Sequence, residues 1–147
     1  MSEIFSEDHV TTILLICGEN IDANLISQKL GFSSSTFSRK GEVIVPLPED
    51  GATRSYDNRF NLDCWRRTLT KNQGTEDLKE QLELWIQLLY PVRLAFREFN
   101  SLGYWSVIDC QIASSNLQIP SIQFRLTKEM QLKLSQLDLD LDFTIYM

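Results

Sequence analysis

The sequence has few of the residues on which catalytic sites most often depend. It contains one histidine, His9, at the start of the first predicted strand. A Ser/His/Asp or Cys/His catalytic system would have to use this histidine, and no nucleophile stands in a recognisable relation to it. The six glycines form no phosphate-binding loop, because Lys40-Gly41-Glu42 is too short a pattern. We therefore expect a protein that is not an enzyme and uses no cofactor.

Cysteines are also scarce. Cys17, Cys64 and Cys110 are widely spaced and include no CxxC motif. An odd number at this spacing argues against both a disulfide framework and a zinc site. Each cysteine stands among apolar or strand-forming neighbours, so we expect buried free thiols in a reducing cytosol.

Long apolar runs are missing. No stretch approaches the roughly 20 apolar residues of a membrane-spanning helix. The first nine residues are acidic and lack the basic and apolar regions of a secretory signal. The length of 147 residues and the 43% hydrophobic content suit one globular domain over residues 1–147. These features predict a cytoplasmic protein with no membrane partner.

Basic residues are the minority charge, 14 against 20 acidic residues, with a net charge of −6. An acidic protein is a poor match for nucleic acid, which is bound through a basic surface. The charges are segregated, however. Residues 36–71 hold seven basic and five acidic side chains, a net charge of +2, and the rest of the chain carries −8. The middle of the chain is therefore a basic region within an acidic protein.

The hydrophobic pattern predicts strands and helices in alternation. A continuous apolar run predicts a strand over 9–17, and Asp22 or Asn20 caps a helix that Gly31 ends. Residues 32–39 are predicted to be a serine-rich connection, and 43–45 a short strand. The remaining predictions are a strand over 62–69, a helix from Thr75 with a restart at Pro91, and a strand over 104–111.

The C-terminal part predicts strand, helix and strand. Ile122, Phe124 and Leu126 alternate with polar residues, Thr127 opens a short helix, and 139–146 alternates again. The whole order predicts an α+β fold: a two-layer sandwich whose mixed or antiparallel sheet of about five strands carries helices on one face, with ferredoxin-like elements.

The basic middle of the chain, residues 39–67, is the leading candidate site and is called the basic segment below. Arginine beside aromatic rings is typical of anion pockets and of interface anchors. An equally open alternative is that these arginines simply pair with the acidic remainder of the domain. Trp85 and Trp105, by contrast, are expected in the core. The candidate residues are Arg39, Lys40, Arg54, Tyr56, Arg59, Trp65, Arg66 and Arg67.

A second pattern suggests metal binding. Alternation places Asp140 and Asp142 on one face of the last strand, about 6.5–7 Å apart, where two carboxylates could share a hard cation. The alternative is a polar strand face that carboxylates keep soluble, and the tail lacks the glycine and glutamate of a calcium loop. We favour the polar face, so no metal is expected.

Four features in this order resemble the bacterial DUF4279 family, a domain of unknown function. They are Asn20-Ile21-Asp22 with a helix ending in Leu30-Gly31-Phe32, the turn at 39–42, Cys64-Trp65-Arg66, and the C-terminal segment 127–146. The chain differs in having serines at 33–35 where the family has a proline, and in a long insert over 46–60. The resemblance implies a small bacterial α+β protein and no particular reaction.

Three functions follow as hypotheses. The first is a binding module that engages a protein partner or a small anion through the basic segment. The second is an immunity or antitoxin-like protein whose acidic surface blocks a basic toxin. The third is a hydrolase that uses a metal at Asp140 and Asp142. Self-association is compatible with each of them.

Overall fold

A computed structural model describes residues 9–40, 62–69, 78–113 and 125–146. These residues form five strands and four helices. The strands are β1 (His9–Gly18), β2 (Thr36–Ser38), β3 (Asp63–Leu69), β4 (Trp105–Ala113) and β5 (Asp140–Tyr146). The helices are α1 (Ala23–Leu30), α2 (Leu78–Leu89), α3 (Leu94–Ser101) and α4 (Lys128–Ser135).

The strands form one mixed sheet in the order β2-β3-β1-β4-β5. β1 lies in the middle and pairs antiparallel with β3 and β4, and β2 pairs antiparallel with β3. With α2 and α3 counted together, the described elements from β1 to β4 follow the β-α-β-β-α-β order of ferredoxin-like folds. β5 then adds a parallel strand beside β4. The predicted α+β sandwich, with a mixed or antiparallel sheet of about five strands, is confirmed, and the sheet is mixed.

One face of the sheet carries the core. Alternation along β1 directs Leu14 and Ile16 to this face, where register places Trp65 of β3 and Ile108 of β4 beside them. These residues share one buried cluster with apolar side chains from all four helices, including the fully buried Phe96. The helices described here therefore lie on one side of the sheet.

The opposite face carries a different set of side chains. Ile13, Cys17, Cys64 and Val107 lie there and are buried, and so are the polar residues Arg66, Thr68, Asp109 and Gln111. The opposite face of the sheet thus buries charged and polar side chains together with apolar ones. Burying a polar group costs free energy unless the group is hydrogen-bonded.

Local sequence explains where the helices begin and end. The Asp22 carboxylate accepts a hydrogen bond from the Leu25 amide at the start of α1, and Thr127 does the same for Met130 in α4. Gly31 ends α1 with φ of 87°, a conformation that glycine adopts without a Cβ penalty. Pro91 lies in a 3₁₀ turn between α2 and α3, as the predicted restart requires.

Two expectations are wrong. Residues 36–38, expected in a connection, form the edge strand β2, because β3 supplies hydrogen-bonding partners that lie far away in the sequence. Trp105, expected in the core, is 45% exposed: it is the first residue of β4 and lies on the face away from the helices. The strand predicted at 43–45, the helix start at 75–77 and the alternation at Ile122 and Phe124 lie outside the described residues. No helix in the described part of the chain is long and apolar enough to cross a membrane.

Candidate functional site

The described part of the basic segment divides between the two faces of the sheet. Arg66 and Arg67 are neighbours on β3, so their side chains leave the strand on opposite sides. Arg66 lies opposite Leu15 on the face away from the helices and is 4% exposed. Arg67 lies opposite Leu14 on the helix face and is partly exposed. The two arginines therefore cannot form one fork on a common ligand.

Asp63 fixes the position of Arg39. Its carboxylate is 3% exposed and accepts hydrogen bonds from the Lys40 amide at 2.7 Å, the Arg39 guanidinium at 2.9 Å and the Ile21 amide at 3.1 Å. Arg39 also donates to the Ile21 carbonyl at 3.3 Å. This cluster joins the ends of β1, β2 and β3.

The pKa of Asp63 lies below its ordinary value of 3.8. Burial alone would raise this pKa, because it penalises the charged carboxylate. Donation from the Lys40 amide, the Arg39 guanidinium and the Ile21 amide together outweighs the burial. Asp63 is therefore charged at neutral pH and holds Arg39 by charge as well as by hydrogen bonding.

Two guanidinium groups lie over aromatic rings on the helix face of the β2–β3 edge. Arg39 lies 4.8 Å from the centroid of the Phe37 ring, and Arg67 lies 5.6 Å from that of Phe32. Arg67 also donates to the Ser33 carbonyl at 2.9 Å. The side chain of Arg39 is 59% exposed, so the stacking positions its charge without removing it from solvent.

Lys40 adds a third charge beside Arg39 at the C-terminal end of β2, whereas Arg67 lies level with the start of that strand. Its side chain is 62% exposed, and its ammonium lies 3.7 Å from Glu19, which is also exposed. A pair of this kind contributes little to stability and opens easily. Arg39, Lys40 and Arg67, with Phe32 and Phe37 beneath the two guanidinium groups, are called the arginine edge below.

Trp65 supports the arginine edge from beneath and is not a ligand platform. It is fully buried, donates its indole N–H to the Ser27 hydroxyl at 3.1 Å, and lies 6.0 Å from the Phe32 ring. The three remaining candidates of the basic segment, Arg54, Tyr56 and Arg59, lie outside the described residues.

Asp140 and Asp142 lie on one face of β5, as alternation predicts. Register places Asp142 beside Asp109 of β4, and Asp140 accepts a hydrogen bond from the exposed Trp105 indole at 2.8 Å. Burial, followed by the charges of Asp109 and Asp140, raises the pKa of Asp142. Within the described ranges, no group of three or more His, Cys, Asp or Glu side chains is arranged to hold a metal ion.

Cys17 and Cys64 lie together, although no pattern in the sequence indicates it. They are directly opposite each other in the β1–β3 ladder, and their sulfur atoms are 2.6 Å apart. Only the register of two strands that are distant in sequence reveals this pair. Cys110 lies on the other face of the sheet, where burial raises the pKa of its thiol to about 12.

A cleft of about 400 Å³ between α3 and the end of α4 also has no sequence signature. Arg93 lies 4.2 Å from the Tyr90 ring centroid and donates to the Tyr90 carbonyl, so this cleft also holds a stacked arginine. Asp138 contributes an acidic group to the same wall, which makes the cleft mixed in charge. The lining residues are Arg93, Leu94, Arg97, Ser135, Gln136 and Asp138.

Comparison with known proteins gives one match. The family model described as a domain of unknown function, DUF4279, matches residues 8–147. No curated protein matches the chain significantly. No solved structure does so either.

Proposed function

The chain belongs to the DUF4279 family of domains of unknown function, and from this premise we propose that it is a small non-enzymatic binding module of the bacterial cytoplasm. Its partner is an acidic segment of another protein, bound at the arginine edge. The observation that carries the proposal is that two guanidinium groups lie over aromatic rings on one side of the β2–β3 edge, at 4.8 and 5.6 Å.

The chemistry of the arginine edge supports this partner. A guanidinium presents its donors in a fixed planar fork that suits a carboxylate. Stacking and the contact with Asp63 hold Arg39 in place before a partner arrives, so less side-chain entropy is lost on binding. Arginine and aromatic residues are also the types enriched among the anchors of protein interfaces.

The experiment is co-purification from the native host, followed by titration of the identified partner against charge-reversed variants. The test variant is the double change Arg39→Glu and Arg67→Glu. Arg66 is left unchanged because it is buried, and its reversal would disturb folding. The control is Arg93→Glu with Arg97→Glu, which reverses the same number of arginines and includes one stacked on a ring.

We expect the double change at the arginine edge to raise the Kd for the partner by at least about tenfold. The control should leave Kd within about twofold of the wild-type value. Circular dichroism and thermal melting establish that both variants are folded. Equal affinity of the wild type and the Arg39/Arg67 variant would contradict the proposal. Binding of inorganic phosphate with the same loss in that variant would instead indicate a small-anion site.

The acidic side of the molecule supports a second candidate, an immunity-like protein that blocks a basic partner. Asp140 and Asp142 are exposed on β5, and mutual repulsion contributes to the raised pKa of Asp142. A basic ligand placed there would relieve this repulsion. Asp140→Asn with Asp142→Asn should then abolish binding while the Arg39/Arg67 variant retains it. An adjacent toxin gene would favour this candidate.

The hydrolase alternative rests on the same two aspartates. Titration of magnesium, manganese and calcium against thermal stability tests it, since an ion that binds only the folded state raises the melting temperature. A rise in the wild type that Asp140→Asn and Asp142→Asn remove would support a metal site. No rise at millimolar ion would argue against it.

A further inference from the structure

Cys17 and Cys64 lie close enough together for a disulfide to form between them. They are register partners in the antiparallel β1–β3 ladder, where opposed Cα atoms lie about 4.5 or 5.5 Å apart. Both separations fall within the range that a disulfide spans. Both side chains leave the sheet on the same face, and their sulfur atoms are in contact at 2.6 Å.

We infer that Cys17 and Cys64 form a redox-active dithiol that closes reversibly into a cross-strand disulfide when a low-molecular-weight disulfide such as oxidised glutathione is present. This inference is independent of the proposed binding function. It assigns a modification site to two cysteines that are separated by 47 positions in the sequence.

The reaction balances in two exchange steps. The Cys17 thiolate attacks one sulfur of the oxidant, forms a mixed disulfide and releases the first small thiol. The Cys64 thiolate then attacks the Cys17 sulfur, closes the protein disulfide and releases the second. The two protein thiols lose two electrons and two protons, and the oxidant is reduced to two thiols. Excess reduced thiol reverses both steps.

The position of each cysteine sets the order of these steps. Cys17 is 5% exposed, whereas Cys64 is fully buried, so the oxidant reaches Cys17 first. Hydrogen bonding with Cys17, followed by burial, raises the pKa of Cys64 well above the usual range of a thiol. Cys64, the more deeply buried of the two, therefore acts as the resolving cysteine.

Access to the pair comes from the end of the ladder. The next register pair, Gly18 and Asp63, is the last one between β1 and β3. Opening of this end breaks the contacts of Asp63 but not the rest of the ladder, so we expect local opening, without global unfolding, to admit the oxidant. The closed bond would join β1 to β3 next to Asp63.

Cys110 provides a matched internal control. It is buried like the other two, but register pairs it with Thr12 on the helix face, whereas Cys17 and Cys64 lie on the opposite face. The sheet itself therefore separates Cys110 from the pair. A mechanism that depends on geometry must leave Cys110 reduced.

The experiment equilibrates the folded chain with excess oxidised glutathione, quenches it in acid, unfolds it and alkylates the remaining thiols for mass spectrometry. We expect the alkylated thiols of the wild type to fall from three to one, with peptide mapping joining Cys17 to Cys64. In the Cys110→Ala variant, the number of alkylated thiols should fall from two to none. Cys17→Ala and Cys64→Ala should form no internal bond.

A second measurement avoids variants altogether. The melting temperature of the oxidised wild type should exceed that of the same sample after reduction by on the order of 10 °C, because the bond closes a long loop of the unfolded chain. The inference would be overturned if all three thiols could still be alkylated after hours at 37 °C. It would also be overturned if only mixed disulfides formed, or if the bond involved Cys110.

Discussion

Replacing Asp63 with asparagine tests the contact on which the arginine edge depends. The side chain keeps its size, but one carboxylate oxygen becomes an amide nitrogen that cannot accept hydrogen bonds. The carboxylate has donors on both oxygens, with Lys40 at one oxygen and Ile21 and Arg39 at the other. No orientation of the amide can therefore satisfy all three donors.

The size of the effect follows from these contacts. The best orientation retains Ile21 and Arg39 and loses the bond to the Lys40 amide, and a hydrogen bond to a charged group contributes about 1.5–3 kcal/mol. The two retained bonds weaken because their acceptor loses its charge. A neutral amide costs less free energy to bury than a carboxylate, and this difference offsets part of the loss. We expect Asp63→Asn to lower the free energy of unfolding by about 3 kcal/mol, or the melting temperature by about 6–12 °C.

Arg39→Ala is the matched control. It removes the ion pair but leaves both backbone donors on Asp63, and the Arg39 side chain is 59% exposed. The Asp63 half of the pair is buried, but solvent around the exposed guanidinium screens the pair, so we expect Arg39→Ala to cost about 1 kcal/mol, less than Asp63→Asn. Urea unfolding at pH 7 measures both variants. The reasoning would be refuted if the free energy of unfolding of Asp63→Asn lay within about 0.5 kcal/mol of the wild-type value. It would also be refuted if Arg39→Ala were at least as destabilising as Asp63→Asn.

The pH dependence supplies a second check. The folded pKa of Asp63 is lowered below 3.8, so its charged form stabilises the fold fully above that pH and loses its contribution as the pH falls through the lowered pKa. The stability difference between the wild type and Asp63→Asn should therefore be largest near pH 7 and shrink as the pH falls below 3.8. A difference that stays constant from pH 7 to pH 3 would show that charge is not its cause.

Three further predictions concern other parts of the sheet. Thr12→Val should cost about 3 kcal/mol in urea unfolding, because the buried Thr12 hydroxyl accepts from the Trp85 indole at 2.7 Å and donates to Gln81 at 2.7 Å. The control Thr11→Val, on the other face of β1, should cost less than about 1 kcal/mol. Asp142→Asn should raise stability slightly at pH 7 and leave it unchanged at pH 3, because the raised pKa of Asp142 makes its charged form unfavourable in the folded state. A loss of stability at pH 7 would contradict that account. The Cys110 thiol, with a pKa of about 12, should react with a disulfide reagent only when the protein unfolds. Mass spectrometry of the folded, reduced protein after exposure to the reagent measures this, and prompt labelling of Cys110 would contradict it.

The elements that could be predicted are those with local signals. The Asp22 cap and Gly31 define α1, Pro91 separates α2 from α3, and Thr127 opens α4. In each case the residues that set the boundary lie within a turn of it. The alternation over 139–146 likewise predicted β5 to within one residue.

The parts that could not be predicted depend on distant partners. β2 has three residues, too few for a pattern of its own, and forms because β3 pairs with it. Alternation predicted two faces for the strand at Trp105 but could not tell which face the helices cover. The contact between Cys17 and Cys64 depends on the register between β1 and β3, which no local signal specifies.

The positions of the candidate residues follow the sequence pattern only in part. Arg39 and Arg67 lie beside aromatic rings, as the composition suggested, whereas Trp65 is buried beneath them. The separation of Arg66 from Arg67 was already implicit in the alternation along β3. The contact of Asp63 with Arg39 was missed, because a single aspartate at the start of a strand does not reveal the three donors that surround it.

The central position of β1 has a consequence for how the chain assembles during synthesis. Both of its neighbours come late: β3 begins 45 positions after Gly18, and β4 ends at Ala113. Until those strands leave the ribosome, the apolar run of β1 has no ladder on either side, and contacts between residues so far apart in sequence close slowly. Chains truncated before β4 should therefore remain unfolded and prone to aggregate.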